Sequence, residues 1–508
     1  MLYTISPSEM KRIERRFMAE TGVDGLTLME RAAAHVAGAA MPYLYHGAKL
    51  LVLAGTGNNG GDGLAAARIL MTRLETLRCV IFQLAGTPSP ETAEQRKRLE
   101  PFADRLDVVE IGDVVPPVPA DCACVIDALF GTGLSRALAG AAREIVQDLN
   151  QSKLPIIAVD IPSGLDGSAG YPPEGGIAVR AGVTVTFHRP KEGLYLGDGP
   201  DLCGEVTVGD IGIPAEYGDA KGFAVLERED VKRLPRRRNT HKGTYGRVLA
   251  VTGSWGMAGA AGISALAALR TGAGGVTVAC PDAIVPIVQT LCPCAICLPL
   301  DTGHPWPMLE PALRSADALV AGCGLGRSHA AARLVERLIQ SLCAHTLPAV
   351  LDADALNVLA AYQEEFRAQN LRFPACVVLT PHLGEAARLL NWPTEQVKRE
   401  QARAARALRE RYGGSILLKS TASVLIAEDG EAINRFGTPA MAKAGSGDAL
   451  AGILGALLAG QAEYRLQGVR LLQTACALHG LAGEAAAKKY GEHGVLATDL
   501  CDRITRGL

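Results

Sequence analysis

The sequence predicts an α/β protein of two successive domains, each built on a mostly parallel sheet with helices on its faces. Three observations carry that prediction. Short apolar runs alternate with helical patterns along the chain, an order that right-handed crossovers fold into parallel sheets. Most of the runs stop at a glycine-rich or polar motif, and such motifs gather along the carboxyl edge of a sheet, where ligands collect in this class. The alternation is interrupted between residues 226 and 239, where the composition turns charged and ends in Arg236-Arg237-Arg238. A run of bases reads as a solvated face, so the chain divides into residues 1–222, a charged linker at 223–240, and residues 241–508.

Size and composition narrow the function class. At 508 residues the chain is too long for one ordinary core, and 48% apolar residues supply material for two. Basic and acidic side chains number 51 and 53, so the net charge of −2 directs the protein neither to nucleic acid nor to an anionic membrane. The expected partner is a small molecule. No uncharged apolar run reaches membrane-spanning length, and charges at Lys11 and Arg12 precede any apolar stretch of signal-peptide type. Thirteen cysteines are scattered without framework spacing, which suits a reducing compartment and a cytoplasmic location. Cys292, Cys294 and Cys297 lie close, but no second cysteine pair or histidine pair accompanies them, so core packing is expected rather than zinc.

In the first domain, Pro7-Ser8-Glu9 opens a helical pattern through Met10, Ile13 and Phe17, capped by Ser6 or Ser8. A second helix covers residues 26–40; its Glu30 is either solvated or orients a neighbouring loop. The strand Lys49–Ala54 then runs into Gly55-Thr56-Gly57-Asn58-Asn59-Gly60-Gly61-Asp62-Gly63, with a helix expected at 64–74. Strand, glycine loop and helix make a nucleotide-binding turn of Rossmann-like type. Its glycine spacing differs from the dinucleotide fingerprint, and Asn58, Asn59 and Asp62 add oxygens that can meet a cation or ribose hydroxyls. Further strands are expected at 76–84, 122–126 and 155–159, and helices at 92–106 and 138–150. Two strands end in aspartate, Asp127 before a loop at 131–137 that can take phosphate, and Asp160 before Ile161-Pro162-Ser163-Gly164. Asn59, Asp127 and Ser163 together form an all-oxygen set suited to a hard cation. The domain closes through the strand Val183–Phe187, the turn Lys191-Glu192-Gly193-Leu194, a strand at 205–208 and Asp210-Ile211-Gly212-Ile213-Pro214.

In the second domain, His241-Lys242-Gly243 leads into the strand Arg247–Val251, and the helix Ala258–Thr271 is rich enough in Ala and Gly for close approach to sheet or ligand. Strands at 276–279, Ala318–Ala321, Ala349–Leu351, 376–379 and 415–418 follow. The last four end in Gly322-Cys323-Gly324-Leu325-Gly326, Asp352-Ala353-Asp354, Thr380-Pro381-His382 and Lys419-Ser420-Thr421. The stretch Ala444-Gly445-Ser446-Gly447-Asp448 runs into an apolar helix expected at 449–458. Gly445 and Gly447 let backbone N–H groups approach a phosphate, and the positive helix end aims at the same point. Ala444 permits this turn with φ below zero. A carboxylate there, Asp448, is placed to accept a proton from a hydroxyl that attacks phosphorus. A capping role for Ser446 or Asp448 would explain the acid but not the flanking glycines.

These motifs carry a resemblance. The first half is similar to the NAD(P)H-hydrate epimerases by Asn58-Asn59-Gly60-Gly61-Asp62-Gly63, Asp160-Ile161-Pro162-Ser163-Gly164 and Asp210-Ile211-Gly212-Ile213-Pro214. The second resembles the ribokinase-like ADP- or ATP-dependent NAD(P)H-hydrate dehydratases by His241-Lys242-Gly243, Gly322 to Gly326, Asp352 to Asn357, Thr380 to Glu385 and Gly445 to Asp448. The resemblance implies an α/β Rossmann-like domain of three layers joined to a ribokinase-like α/β/α domain. It implies a bifunctional repair enzyme that interconverts the R and S hydrates and dehydrates the S form with ADP or ATP, giving AMP and phosphate when ADP is used. It further implies potassium held by Asn59, Asp127 and Ser163, and hydrate bound by Asn58, Asn59, Gly60, Gly61, Asp62, Asp160 and the loop Gly131, Thr132, Gly133, Leu134, Ser135, Arg136 and Ala137. In the second half it implies hydrate contacts from Ala261, Gly324, His382 and Asp448. Nucleotide contacts fall on Lys419, Ser420, Thr421, Ala422, Ser423, Gly445, Ser446 and Gly447, with Mg²⁺. The family habit of assembly implies a homo-oligomer. Asp448 and Asp160 are the expected catalytic groups. Two other readings stay open: a kinase of a small hydroxylated metabolite, and a first domain that only senses nucleotide or acts as a scaffold.

Overall fold

The computed structural model describes residues 2–112, 114–134, 136–218, 222–231, 236–301 and 303–504. The chain divides into two compact units, with the boundary between Phe223 and Ala224 in sequence. The first contains a parallel sheet of seven strands in the order Leu106–Ile111, Arg78–Leu84, Lys49–Ala54, Cys124–Ala128, Ile156–Val159, Val183–Phe187, Glu205–Gly209. Alternation along the Lys49–Ala54 strand divides its side chains between two cores. Leu50 and Val52 pack with helices Gly25–Ala40 and Asn58–Arg73, and Leu51 and Leu53 with helix Gly140–Gln151. Burial on both faces is the physical reason the strand reads as an unbroken apolar run.

The chain winds outward through its first three strands, then returns to pair Cys124–Ala128 beside Lys49–Ala54. That reversal opens a crevice at the carboxyl ends of these two strands. It juxtaposes the Gly55 turn with the segment after Asp127: a Cβ on Gly55 would stand 1.9 Å from the Leu129 carbonyl oxygen.

Several expected boundaries shift. The helix expected at 64–74 begins at Asn58, so Asn58 to Asp62 occupy its first turns instead of a free loop. Glycine disfavours helix, and packing overrides that preference. A Cβ on Gly60 would lie 2.0 Å from the Gly55 carbonyl oxygen, and one on Gly61 2.5 Å from the Met29 side chain. The helix expected at 92–106 ends at Lys97, and a strand the sequence reading omitted, Leu106–Ile111, follows on the sheet edge. Exposure of its middle residues hid its apolar pattern. Ser6, rather than Ser8, caps the first helix. Glu30 accepts hydrogen bonds from Gln95, Arg98 and Arg68, which ties three helices together.

The second unit carries the order Ala224–Val225, Gly430–Ile433, Val424–Ala427, Gly413–Leu418, Phe373–Leu379, Ala349–Leu351, Ala318–Ala321, Arg247–Val251, Gly275–Pro281, Ile296–Leu300. Only Val424–Ala427 runs antiparallel to its neighbours Gly413–Leu418 and Gly430–Ile433. Helices Ala258–Thr271 and Ser446–Ala459 pack so closely that a Cβ on Gly452 would meet the Ser264 carbonyl oxygen at 2.2 Å. The linker expected at 223–240 needs correction at its start. Ala224-Val225 is a strand paired with Ala432-Ile433, and Leu226 packs with Phe436, Ala477 and Leu481. A run of only four apolar residues, Phe223 to Leu226, beside a charged stretch is too short to separate strand from linker. Among the described residues, no helix is long and apolar enough to cross a membrane.

Candidate active sites

At the carboxyl edge of the first sheet, Asp127 is fully buried at the end of its strand. Ser163 donates to it twice, through Oγ at 2.6 Å and through the backbone N–H at 2.8 Å. Burial nevertheless pushes this carboxyl up to about 6. Among the described residues no basic side chain is paired with it. Ser163 Oγ also accepts from the Phe130 N–H at 2.9 Å, and Asn59 reaches the same segment, its Oδ1 standing 2.9 Å from where a Cβ on Gly131 would be. Asn59 Nδ2 is buried without a partner. The three residues of the oxygen set therefore converge on the turn that follows Asp127. A buried carboxylate, a hydroxyl and an amide oxygen are hard donors of the kind that a monovalent or alkaline-earth cation takes.

Next to this turn, Asp160 ends its strand in a left-handed conformation, φ 66°, that non-glycine residues adopt at a cost. Its Oδ1 accepts from Lys191 Nζ at 2.5 Å and from Thr186 Oγ1 at 3.1 Å. Lys191 is only 1% exposed. Asp62 and Glu14 face the same pair. Burial raises both carboxyls, Asp62 well above its ordinary value; the Asp160 charge adds to both rises, and the Lys191 charge opposes them. Gly60 and Gly61 are buried inside helix Asn58–Arg73, so they shape the crevice and do not line it. The expected hydrate loop is described at Gly131, Thr132, Gly133, Leu134, Arg136 and Ala137; Ser135 lies outside the described residues. The sequence reading passed over Lys191 as a binding or catalytic group. Its one signal was a basic residue opening an otherwise ordinary turn.

In the second unit, Gly445 adopts φ 92° and starts the helix Ser446–Ala459, three residues earlier than expected. Ala444 does not take a positive φ, as the turn requires. Asp448 lies in the first helical turn. Its carboxyl is raised by burial and by the Asp352 charge, while a hydrogen bond from the Cys323 thiol and the Lys419 charge pull the other way. Asp352 is buried and accepts from Lys419 Nζ at 2.5 Å. A Cβ on Gly447 would stand 3.5 Å from Lys419 Nζ and 3.6 Å from Asp352 Oδ2, so the glycine loop lies directly over this pair. His382 and Lys419 sit on adjacent strand ends joined by a bridge, and the Lys419 N–H donates to the Pro381 carbonyl at 2.8 Å. His382 Nδ1 accepts from the Gly384 N–H at 3.0 Å, which leaves the ring proton on Nε2. Burial and the Lys419 charge lower its proton affinity.

Gly324, at φ 59°, passes so close to helix Ala258–Thr271 that a Cβ would meet the Ala260 Cβ at 2.8 Å. Gly324, His382, Lys419, Gly447 and Asp448 thus share one sheet edge. Ala261 is fully buried under Gly253, so its methyl is no contact surface. Ala422 is likewise buried, and Ser420 Oγ bonds inward to Gln401 Oε1 at 2.7 Å. Thr421 is the exposed member of that stretch. The reading also missed His479, whose Nε2 lies 3.2 Å from Ser446 Oγ beside the anion loop; burial holds its pKa down at about 4. A histidine in an apolar helix gives no sign of which loop it will face.

Comparison with known proteins follows the same division. A family model described as NAD(P)H-hydrate dehydratase matches residues 248–506, and one described as YjeF-related protein N-terminus matches residues 25–193. The bifunctional NAD(P)H-hydrate repair enzyme Nnr of Coxiella burnetii is 35% identical over 504 residues, covering 97% of this chain and 96% of its own. The enzyme of that name from Escherichia coli K12 is 34% identical, covering 95% and 90%. Among solved structures, the ADP/ATP-dependent NAD(P)H-hydrate dehydratase of Bacillus subtilis, co-crystallised with ATP and Mg²⁺, is 26% identical, covering 57% of this chain and 98% of its own with a TM-score of 0.47. Two α/β units carrying these edge motifs, together with full-length relatives above 30% identity, place this chain in the family of bifunctional NAD(P)H-hydrate repair enzymes.

Proposed function

We propose that the chain repairs hydrated nicotinamide cofactors in two steps. The first unit interconverts the R and S hydrates of NADH and NADPH, and the second dehydrates the S form with ADP, releasing AMP and phosphate. The observation that carries this reading is the placement of Asp448 in the first turn behind left-handed Gly445, directly beside the Asp352–Lys419 pair.

The hydrate carries a hydroxyl, a poor leaving group. In the proposed reaction Asp448 accepts the hydroxyl proton as the oxygen takes the terminal phosphoryl group of ADP. The N–H groups of Gly445 to Gly447 and the helix end behind them take up charge on the transferring group. Phosphate then leaves with the electron pair of its C–O bond while a proton departs from the neighbouring carbon. The double bond of the dihydropyridine returns. Asp448 suits the acceptor role because burial raises its proton affinity toward working pH. Lys419 is tied to Asp352, so its charge stays near the phosphates without wandering. His382, with its proton on Nε2, can donate to the substrate. Mg²⁺ typically binds through one or two carboxylates and the phosphates; Oδ2 of Asp352, the oxygen not bonded to Lys419, would hold it, and the ion would neutralise phosphate charge.

For the first unit, Asp160 is the proposed acid/base group of epimerisation, with the hydrate held by Asn58, Asp62 and the loop at 131–137. Asn59, Asp127 and Ser163 would hold K⁺; the buried charge of Asp127, which has no basic partner among the described residues, supports that assignment. When bound, the ion would supply a positive charge beside the turn after Asp127. A homo-oligomer is part of the proposal and rests on the family alone.

The test feeds the full chain a mixture of hydrate epimers with ADP and follows dihydronicotinamide absorbance. Wild type converts both epimers. Asp160→Asn should stop after the S fraction, and Asp448→Asn should convert neither. Accumulation of a stable phosphate ester in place of dihydronicotinamide would show a kinase instead.

A further inference from the structure

Among the described residues the first unit holds one almost fully buried lysine, and its bonding is closed. Lys191 Nζ donates to Asp160 Oδ1 at 2.5 Å, to Thr186 Oγ1 at 3.1 Å and to the Phe187 carbonyl at 3.3 Å. Three acceptors use the three ammonium donors, so no N–H remains to bind a diphosphate. A lysine that met the ligand itself would need a free donor and some exposure; this one is 1% exposed. Thr186 adds a second donor to the same Asp160 oxygen at 3.1 Å. Both donors therefore hold Oδ1. Oδ2 faces no donor among the described residues, and the Asp160 side chain keeps 14% of its surface open.

The backbone agrees with this arrangement. Asp160 sits at φ 66°, and an unpaired aspartate has little reason to hold that conformation at a strand end. A buried ion pair with a donating threonine compensates the strain and fixes the carboxylate plane. Removing only one partner of such a pair leaves an uncompensated buried charge.

We infer that Lys191 is a positioning residue for epimerisation, holding Asp160 by Oδ1 with Thr186 so that Oδ2 alone exchanges the substrate proton. The inference rests on the reading of Asp160 as the acid/base group and adds to it the means by which that group is oriented. Other charged groups share the site. Glu14 reaches it from helix Pro7–Thr21, Asp62 from helix Asn58–Arg73, and His188 and Arg189 from the segment after Phe187. Loss of the lysine removes the cation bonded to Asp160 and leaves Glu14 and Asp62 facing it, so the acidic limb of epimerisation should move to higher pH.

The experiment measures kcat and KM for epimerisation by the full chain between pH 5 and 9, with dehydration of pure S hydrate as a control in the same molecule. Lys191→Met should lower kcat about tenfold or more and move the acidic limb of the pH profile up by about one unit, with dehydration unchanged. Thr186→Val should shift the limb in the same direction by less, and it decides the matter if Lys191→Met loses the first unit's thermal transition. Glu14→Gln, which removes a like charge, should move the limb slightly down, opposite to Lys191→Met. A limb unmoved in the soluble Lys191 variant, or in Thr186→Val where that one decides, overturns the inference; so does a limb that Glu14→Gln moves up. If Asp160→Asn epimerises normally the underlying reading fails; if it is dead while the limb stays fixed, only the role of Lys191 fails.

Discussion

Among the described residues each half of the chain holds an aspartate–lysine pair at a sheet edge, Asp160 with Lys191 and Asp352 with Lys419, each at 2.5 Å. The difference lies in which carboxylate is left to act. In the first unit the lysine holds the proposed acid/base group itself, by one oxygen. In the second it holds a neighbour, Asp352, and Asp448 lies beside the pair on a helix end without a bond to the lysine, its proton affinity raised by burial. The comparison teaches that a buried ion pair can either tune the reacting group or prepare the ground beside it. A group exchanging protons in both directions gains from a counter-charge, whereas a base that takes a proton from a hydroxyl gains from its absence.

The crossed asparagine variants make the largest test. Asp448→Asn should lower dehydration by about 10²–10⁴-fold and leave epimerisation intact, and Asp160→Asn should do the reverse. Chromatography of the epimers together with absorbance reads both, and a variant that damages both activities would break the division of labour.

A glycine at the anion loop probes the second site at smaller scale. At φ 92° Gly445 has no room for a side chain, because a Cβ would lie 2.8 Å from the Ala497 Cβ and 3.0 Å from Ile263 Cδ1. Gly445→Ala should cost about 1–3 kcal/mol of stability in the second unit and weaken ADP binding, with the first unit's melting unchanged. Calorimetry and ADP titration check it.

The pH dependence of the second unit sharpens the contrast further. The buried imidazole of His479 titrates at about 4 when folded and near 6.5 when unfolded. Its contribution is therefore fully present above pH 6.5 and is lost as pH falls through that value toward 4. The expected loss is about 2 kcal/mol between pH 7 and pH 4.5, and His479→Asn should show less of it in thermal unfolding. For catalysis, the raised carboxyl of Asp448 predicts that dehydration loses rate on acidification at a higher pH than an ordinary aspartate would impose. A limb at or below the usual carboxylate range would count against Asp448 as the proton acceptor.

The motifs were legible because each strand end must supply a turn, and glycine, asparagine and aspartate reveal such turns by composition. The same reasoning misread the segment after Gly57. Gly60 and Gly61 look like loop residues, yet they are helical because Gly55, Met29 and Thr92 crowd the space where side chains would stand. Ala224-Val225 was hidden by its brevity and by the charges after it, although its backbone completes a sheet edge.

The one-dimensional sequence was enough to establish that two parallel α/β units follow one another, that polar chemistry sits at their strand ends, and that Asp448 and Asp160 stand among it. Local pattern suffices there because burial on both faces forces apolar strands and turns force their own residue types. Only the tertiary structure decided which groups pair. Lys191 finds Asp160 across 31 residues and Lys419 finds Asp352 across 67. Such partners are chosen by sheet order and burial, which bring together side chains that no local spacing relates.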